Sequence, residues 1–129
     1  MITKKLQKYI IGRSEEFKVF LGFNEFALEL EFKEKYENNV AATKTDYKYP
    51  TITITFYNKI TEKVEKYGME YLDKTIMHEL CHTFTYKFSN ILKRKLNKDS
   101  YEAVDEFDEQ MVERMSVKFY NLWRQYTKN

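Results

Sequence analysis

The chain has 129 residues, of which 43% are hydrophobic, 17% are aromatic and 33% are charged, and its formal net charge is +2. This length and hydrophobic content predict a single folded domain over residues 1–129 and exclude a disordered chain. The near balance of charge gives no strong indication of nucleic acid or of a membrane as partner, and the single cysteine, Cys81, excludes both an intrachain disulfide framework and a four-cysteine zinc site.

The N-terminal segment, residues 3–21, is predicted to form one or two short helices. Gly12 is expected to interrupt the segment, and Ser14, which two glutamates follow, is a typical helix start. Its basic residues are soon followed by acidic ones rather than by a long apolar run, so it resembles neither a secretory signal nor a membrane anchor. No run in the chain approaches the ~18 apolar residues of a transmembrane helix, and we expect a cytoplasmic location.

Three segments then alternate apolar and polar residues with the period of two that is typical of half-buried strands. FALELEFKEKY (26–36) leads into turn-forming residues at 37–39, and VAATKTDY (40–47) is predicted to pair back on it. TITITFY (51–57) alternates again, with its inward side formed by Ile52, Ile54 and Phe56. A three-stranded, mainly antiparallel sheet is the expectation.

The remainder of the chain is predicted to be helical. One helix runs from about Leu72 to Ser89, residues 90–100 form a basic connector, and a last long helix runs from about Tyr101 to Tyr126. Helices on either side of a short run of strands indicate an α+β fold. The apolar stripe predicted for the last helix consists of Val104, Met111, Met115, Phe119 and Leu122.

The pentapeptide HELCH uses both histidines of the chain, as His78 and His82, with Glu79 between them. An α-helix turns about 100° per residue, so the two imidazoles lie about 40° apart around the axis and can reach one tetrahedral zinc ion. Glu79 lies about 100° from His78, where its carboxylate can hydrogen-bond a water molecule beside the ion and act as a general base. The competing interpretation is a helix with two solvated or core histidines. The helical context favours the metal site.

A catalytic zinc ion usually has three protein ligands, and the sequence offers no third histidine. Cys81 shares the helical turn of the histidines and would have to bend back, so it is better interpreted as a small residue that allows another helix to pack closely. A carboxylate of the last helix is therefore the expected third ligand, and periodicity alone does not choose among the acidic residues of that helix. The candidates are Glu102, Asp105, Glu106, Asp108, Glu109 and Glu113.

HELCH together with EQMVERMS, which begins at Glu109, resembles the zincin superfamily of metallopeptidases, in the branches whose third ligand is a glutamate. The resemblance implies a zincin-like fold, one Zn²⁺ held by His78, His82 and Glu109, and Glu79 as the general base of peptide-bond hydrolysis. Glu113 stands where those families have Asp or Asn, and the resemblance gives it the role of orienting a ligand histidine. Asp105 and Glu106 remain possible ligands.

The expected partner is a protein or peptide substrate, which could add as a strand to the exposed edge of the sheet. TITITFY, just before the HELCH helix, is the strand predicted to lie at that edge. The rival hypothesis is a non-catalytic metal-binding or protein-interaction module, which a fourth protein ligand such as Cys81 would support. The basic residues of ILKRKLNK are interpreted as a charged connector rather than as a phosphate site.

Overall fold

The computed structural model describes residues 1–34 and 38–128, in which four α-helices accompany one three-stranded sheet. This composition confirms the predicted α+β class. The sheet-forming segments follow the first helix, and three helices follow the sheet. In chain order the elements are α1 (Lys4–Phe20), β1 (Ala27–Lys33), β2 (Ala41–Asp46), β3 (Thr51–Tyr57), α2 (Lys59–Tyr67), α3 (Met69–Lys95), a 3-10 turn (Lys98–Ser100) and α4 (Tyr101–Lys128).

The sheet is mixed rather than mainly antiparallel, which corrects the prediction. Its strand order is β1-β3-β2, with β1 parallel to β3 and β2 antiparallel to β3. The predicted pairing of the second strand with the first is therefore wrong, and TITITFY is the central strand rather than the edge. The physical reason is burial, since Ile52, Ile54 and Phe56 are all completely buried and a central position covers them best. Residues 35–37, which include the end of the first predicted strand and the start of the predicted turn, lie outside the described residues.

Helix α1 is continuous through Gly12, so the predicted interruption and the predicted start at Ser14 are wrong. The helix begins after Thr3, whose hydroxyl accepts a hydrogen bond from the backbone N–H of Leu6 at 3.2 Å. A glycine inside a helix costs roughly 0.5–1 kcal/mol relative to alanine. The burial of Ile10 and Phe17, one on each side of Gly12, outweighs that cost.

A largely buried ion pair joins α1 to α3, the helix that carries HELCH. The carboxylate of Asp73, only 7% exposed, accepts hydrogen bonds from the Tyr9 hydroxyl at 2.7 Å and from Arg13 Nε at 3.1 Å. The Arg13 guanidinium also lies 4.6 Å from the centre of the Trp123 ring on α4. Burial raises the pKa of Asp73, and the hydrogen bonds and charge of Tyr9 and Arg13 oppose that rise. Three helices therefore meet at one ion pair.

Helix α3 is longer than predicted at both ends. It starts at Met69, directly after Gly68, whose positive φ of 87° separates it from α2, a helix that was not predicted. It continues to Lys95, so the first half of the predicted connector over residues 90–100 is helical. Basic residues suit this extension because they lie at the negative end of the helix dipole.

Helix α4 is rotated relative to the predicted apolar stripe. Met111 and Leu122 are 39% and 52% exposed, whereas Val104 is buried and Met115 and Phe119 pack partly buried against the core, as predicted. Trp123 decides the rotation, because its ring packs edge-on against Phe17 with 4.8 Å between the ring centres. The stripe that the structure buries consists of Val104, Val112, Ser116, Tyr120 and Trp123.

Across residues 1–34 and 38–128, the structure contains no helix that is both long enough and apolar enough to span a membrane.

Replacing Phe17 with alanine tests the junction of α1 and α4. We expect Phe17→Ala to lower the free energy of unfolding by about 3–5 kcal/mol, because a completely buried aromatic ring is removed and a cavity remains. Urea unfolding followed by circular dichroism measures the change. Val19→Ala, at a position 58% exposed on the same helix, is the matched control and should stay within about 0.5 kcal/mol. An equal change for both variants would contradict the packing described here.

Candidate metal centre

The two imidazoles of HELCH project from the same side of α3. Their ring centres are 5.1 Å apart, and their side chains are 19% and 16% exposed for His78 and His82. Residues four apart are neighbours on a helix surface, so the helix alone brings the rings together. The side that they occupy faces α4, which runs back along α3 after the 3-10 turn.

Glu109 of α4 lies between the two imidazoles. Its Oε2 is 3.3 Å from His78 Nε2, and its Oε1 is 3.0 Å from His82 Nε2. The Nε2 atoms of both rings are thus directed at one carboxylate, which is the residue that the zincin resemblance indicates as third ligand. Two imidazole nitrogens and one carboxylate form the ligand set of many catalytic zinc sites.

The remaining nitrogen of each imidazole also has a carboxylate partner. His78 Nδ1 lies 3.0 Å from Glu113 Oε2, and His82 Nδ1 lies 3.2 Å from Asp108 Oδ2. The Ser89 hydroxyl donates to the other oxygen of Asp108 at 3.1 Å. A carboxylate at Nδ1 fixes the tautomer and the orientation of the ring, so that Nε2 is presented to a metal.

Asp108 had no role in the sequence-based prediction beyond being one acidic residue among six on the last helix. A signal was present, because Val104, Asp108, Val112 and Ser116 recur at intervals of four and share one side of α4. An aspartate inside that otherwise buried series is expected to face a neighbouring helix rather than solvent.

Glu79 is 7% exposed and lies beside the imidazoles. The Thr43 hydroxyl of β2 is 2.7 Å from Glu79 Oε1 and 3.0 Å from the backbone oxygen of the same residue. Thr43 therefore anchors the general-base candidate to the edge strand of the sheet. Thr43 was not among the predicted site residues, although Ala41, Thr43 and Thr45 form the inward side of β2.

The open alternatives for the third ligand lie elsewhere. Asp105 forms an ion pair with Lys93, and Glu106 is exposed. Cys81 is completely buried in the core, and burial raises the pKa of its thiol to about 12. Within the part of the chain that the structure describes, two groups of side chains lie close enough to share one ion. They are His78, Glu79 and His82, and His82, Asp108 and Glu109.

The two histidines and Glu109 shift one another's pKa values. Burial lowers the pKa of His78 and His82, but their contacts with Glu109 and the nearby carboxylate charges outweigh burial, and both pKa values are raised. The pKa of Glu109 is lowered well below its usual range by its contacts with the two imidazoles. Four carboxylates surround two histidines, so the cluster carries an excess of negative charge that a divalent cation would compensate. The donor set and the charge both fit Zn²⁺.

A cavity of about 610 Å³ opens beside His78 and Glu79. Val40, Tyr71 and Val117 contribute apolar surface to it. The candidate centre is therefore reachable from outside and is not closed inside the core.

Comparison of the chain with protein-family models, with curated proteins and with solved structures gives no match.

The carboxylate at His82 Nδ1 is tested by Asp108→Asn. We expect this variant to bind Zn²⁺ about 10–100-fold more weakly than the wild type, because the ring loses the charge that orients it and raises its basicity. Competition with a chromophoric chelator measures the affinity. Glu106→Gln, on the same helix but exposed, is the control and should leave the affinity unchanged. Equal affinities for wild type and Asp108→Asn would show that the contact has no part in metal binding.

Proposed function

We propose that the protein is a zinc-dependent metallopeptidase of zincin type, in which His78, His82 and Glu109 hold the ion and Glu79 is the general base. The observation that carries the proposal is the convergence of both Nε2 atoms on Glu109 beside a buried, anchored Glu79. A site that only held a structural ion would not require the carboxylate of Glu79 beside the ion.

Zn²⁺ bound by these three side chains would supply Lewis-acid chemistry, lowering the pKa of a water molecule and polarising the scissile carbonyl group. Glu79 accepts the proton of the attacking water at a carboxylate oxygen and then gives that proton to the leaving amine. Thr43 holds Oε1 of Glu79, which fixes the direction of the carboxylate during both transfers. Glu113 and Asp108 hold the imidazoles in place.

The substrate class follows from the position of β2. Among the described residues, no strand pairs with the outer edge of β2, and this edge strand lies against α3 beside Glu79. An extended peptide that pairs with this edge would run past the candidate centre. We therefore propose a protein or peptide substrate. A chain with one cysteine has no intrachain disulfide to gain from an oxidising compartment, and we include a cytoplasmic location in the proposal.

The rival hypothesis of a non-catalytic metal-binding module predicts a fourth protein ligand. Cys81 was the residue proposed for that role, and its burial in the core beside Ile76 and Leu80 disfavours it. A functional test still decides between the two.

Metal content and peptide hydrolysis should separate in defined variants. We expect one zinc ion per wild-type chain, its loss in His78→Ala and Glu109→Ala, and its retention in Glu79→Gln. Elemental analysis measures these contents. Hydrolysis of a mixed peptide library should fall at least about 100-fold in Glu79→Gln, because general-base catalysis is lost. Zinc that is bound without any hydrolysis by the wild type would favour the rival module, and no zinc after growth in supplemented medium would refute both.

The anchor of the general base is tested by Thr43→Val, which removes the hydroxyl and keeps the branched shape. We expect kcat to fall by about tenfold with zinc content unchanged, because a hydrogen bond to a charged group is lost. Thr53→Val, on the opposite face of the sheet in β3, is the matched control. A loss of zinc in Thr43→Val would assign Thr43 to metal binding instead.

A further inference from the structure

A second cavity lies along β2, at the opposite end of the strand from the cavity beside Val40. Its volume is about 430 Å³, and Tyr47 and Tyr86 form part of its wall. The Tyr47 hydroxyl donates a hydrogen bond to the backbone oxygen of Thr83, which fixes the end of β2 to α3. We call this space the basic cavity, after three cationic residues among those that line it, Lys44, Lys87 and Arg94.

The basic cavity contains more positive than negative charge. Lys44, Lys87 and Arg94 line it with one carboxylate, that of Asp46, which already accepts hydrogen bonds from two backbone N–H groups at 2.9 and 3.3 Å. Of the carboxylates in residues 1–34 and 38–128, none forms a salt bridge with any of these three cations. The sequence has no acidic residue between Glu79 and Asp99, so α3 supplies no compensating charge beyond the centre.

The direction of β2 determines which part of a bound peptide would reach the basic cavity. Thr43 contacts Glu79, and Thr45 lies 3.3 Å from Thr83, so the strand and α3 advance in the same direction. A peptide that pairs antiparallel with β2, the more stable of the two pairings per residue, runs the opposite way. Its N-terminal part then lies at the basic cavity, and its C-terminal part lies towards Val40.

We propose that the basic cavity is a specificity site for an acidic side chain on the N-terminal side of the peptide bond that is cleaved. This inference rests on the proposed peptidase function and adds a substrate class to it. A glutamate or aspartate side chain provides the counter-charge that Lys87 and Arg94 lack within the described part of the chain. The rings of Tyr47 and Tyr86 offer apolar surface for its methylene groups.

An acidic peptide fits this surface better than a nucleic acid does. Four carboxylates with one Zn²⁺ would leave the adjacent centre with a charge of about −2, which would repel a continuous phosphate backbone that ran along the same cleft, and the net charge of the chain is only +2. A single acidic side chain places its charge in the basic cavity alone. Binding of a nucleic acid at the basic cavity is the competing outcome, and the binding experiment below tests it with an oligonucleotide.

The hydrolysis experiment uses the zinc-loaded wild-type protein and a library of ten-residue peptides in which each position is Glu, Gln, Lys or Val. Mass spectrometry of the products locates each cut. We expect Glu to be enriched within the four residues on the N-terminal side of the cut, and Lys to be depleted there. No difference between Glu and Lys on that side, or a preference for Glu on the C-terminal side, would overturn the proposal.

Reversing the charge of the basic cavity tests whether its cations cause the preference for Glu. The double variant Lys87→Glu and Arg94→Glu should lose about fivefold to tenfold in kcat/KM for a Glu-containing peptide and should gain activity on the Lys-containing counterpart. Lys4→Glu combined with Lys118→Glu alters two exposed cations outside the basic cavity and makes the same change in net charge, so it is the matched control and should change neither value by more than about twofold. A parallel loss in the control would show that net charge, rather than the basic cavity, sets the preference.

A binding experiment keeps this inference distinct from the proposed function. Zinc-loaded, isotope-labelled Glu79→Gln is titrated with an octapeptide that contains one Glu, with the same octapeptide carrying Lys at that position and with a single-stranded oligonucleotide, and amide shifts are followed by NMR. Failure of the wild type to cut any peptide would refute the peptidase. Shifts at Lys87 and Arg94 with the Glu-containing peptide alone would then still support an acidic-peptide site. Their absence, or a stronger response to the oligonucleotide, would overturn the inference.

Discussion

All four ring nitrogens of the two histidines are paired with carboxylates of one neighbouring helix, and the remaining features of the site depend on that pairing. Glu109 receives both Nε2 atoms, while Glu113 and Asp108 receive the two Nδ1 atoms. Such a set requires α3 and α4 to be antiparallel and in one register, because a shift by one residue would turn each carboxylate about 100° away. The packing of Trp123 on Phe17 and Arg13 sets the rotation of α4 at its other end. A core contact and a polar cluster thus determine the same helix orientation.

The sheet contacts the general-base candidate through the side chain of Thr43. The Thr43 hydroxyl of β2 bonds both the backbone oxygen and the carboxylate of Glu79. These bonds fix the position of the general-base candidate relative to the edge strand. The mixed topology makes this possible. With β3 in the centre, β2 becomes an edge strand with its inward residues against α3. The predicted hairpin of the first two strands would have placed another strand next to β2.

Local features of the fold and of the site could be predicted from the sequence, whereas those that depend on tertiary packing could not. The shared side of His78 and His82 follows from helix geometry alone, and alternation correctly gave the buried side of β3. Strand order did not follow, because alternation specifies which side of a strand is buried and not which strand is its neighbour. The rotation of α4 did not follow either, since the apolar residues of this helix extend over two adjacent sides and the packing of Trp123 on Phe17 distinguishes them. The spacing of Asp108 indicates which side of α4 it occupies, but its partner His82, like the partner of Thr43, is determined only by tertiary packing.

The location of the candidate ligands in the chain has a consequence for the order in which the fold can assemble. His78, His82 and Glu109 all lie on α3 and α4, which are consecutive helices joined by residues 96–100. Closing so short a loop costs little chain entropy, whereas the parallel pairing of β1 with β3 has to enclose the whole of β2 first. The helical hairpin can thus form before the sheet is complete, and an ion captured at that stage would stabilise a folding intermediate as well as the final state. The availability of metal while the whole chain refolds would then influence the yield of folded chains, apart from any effect on turnover.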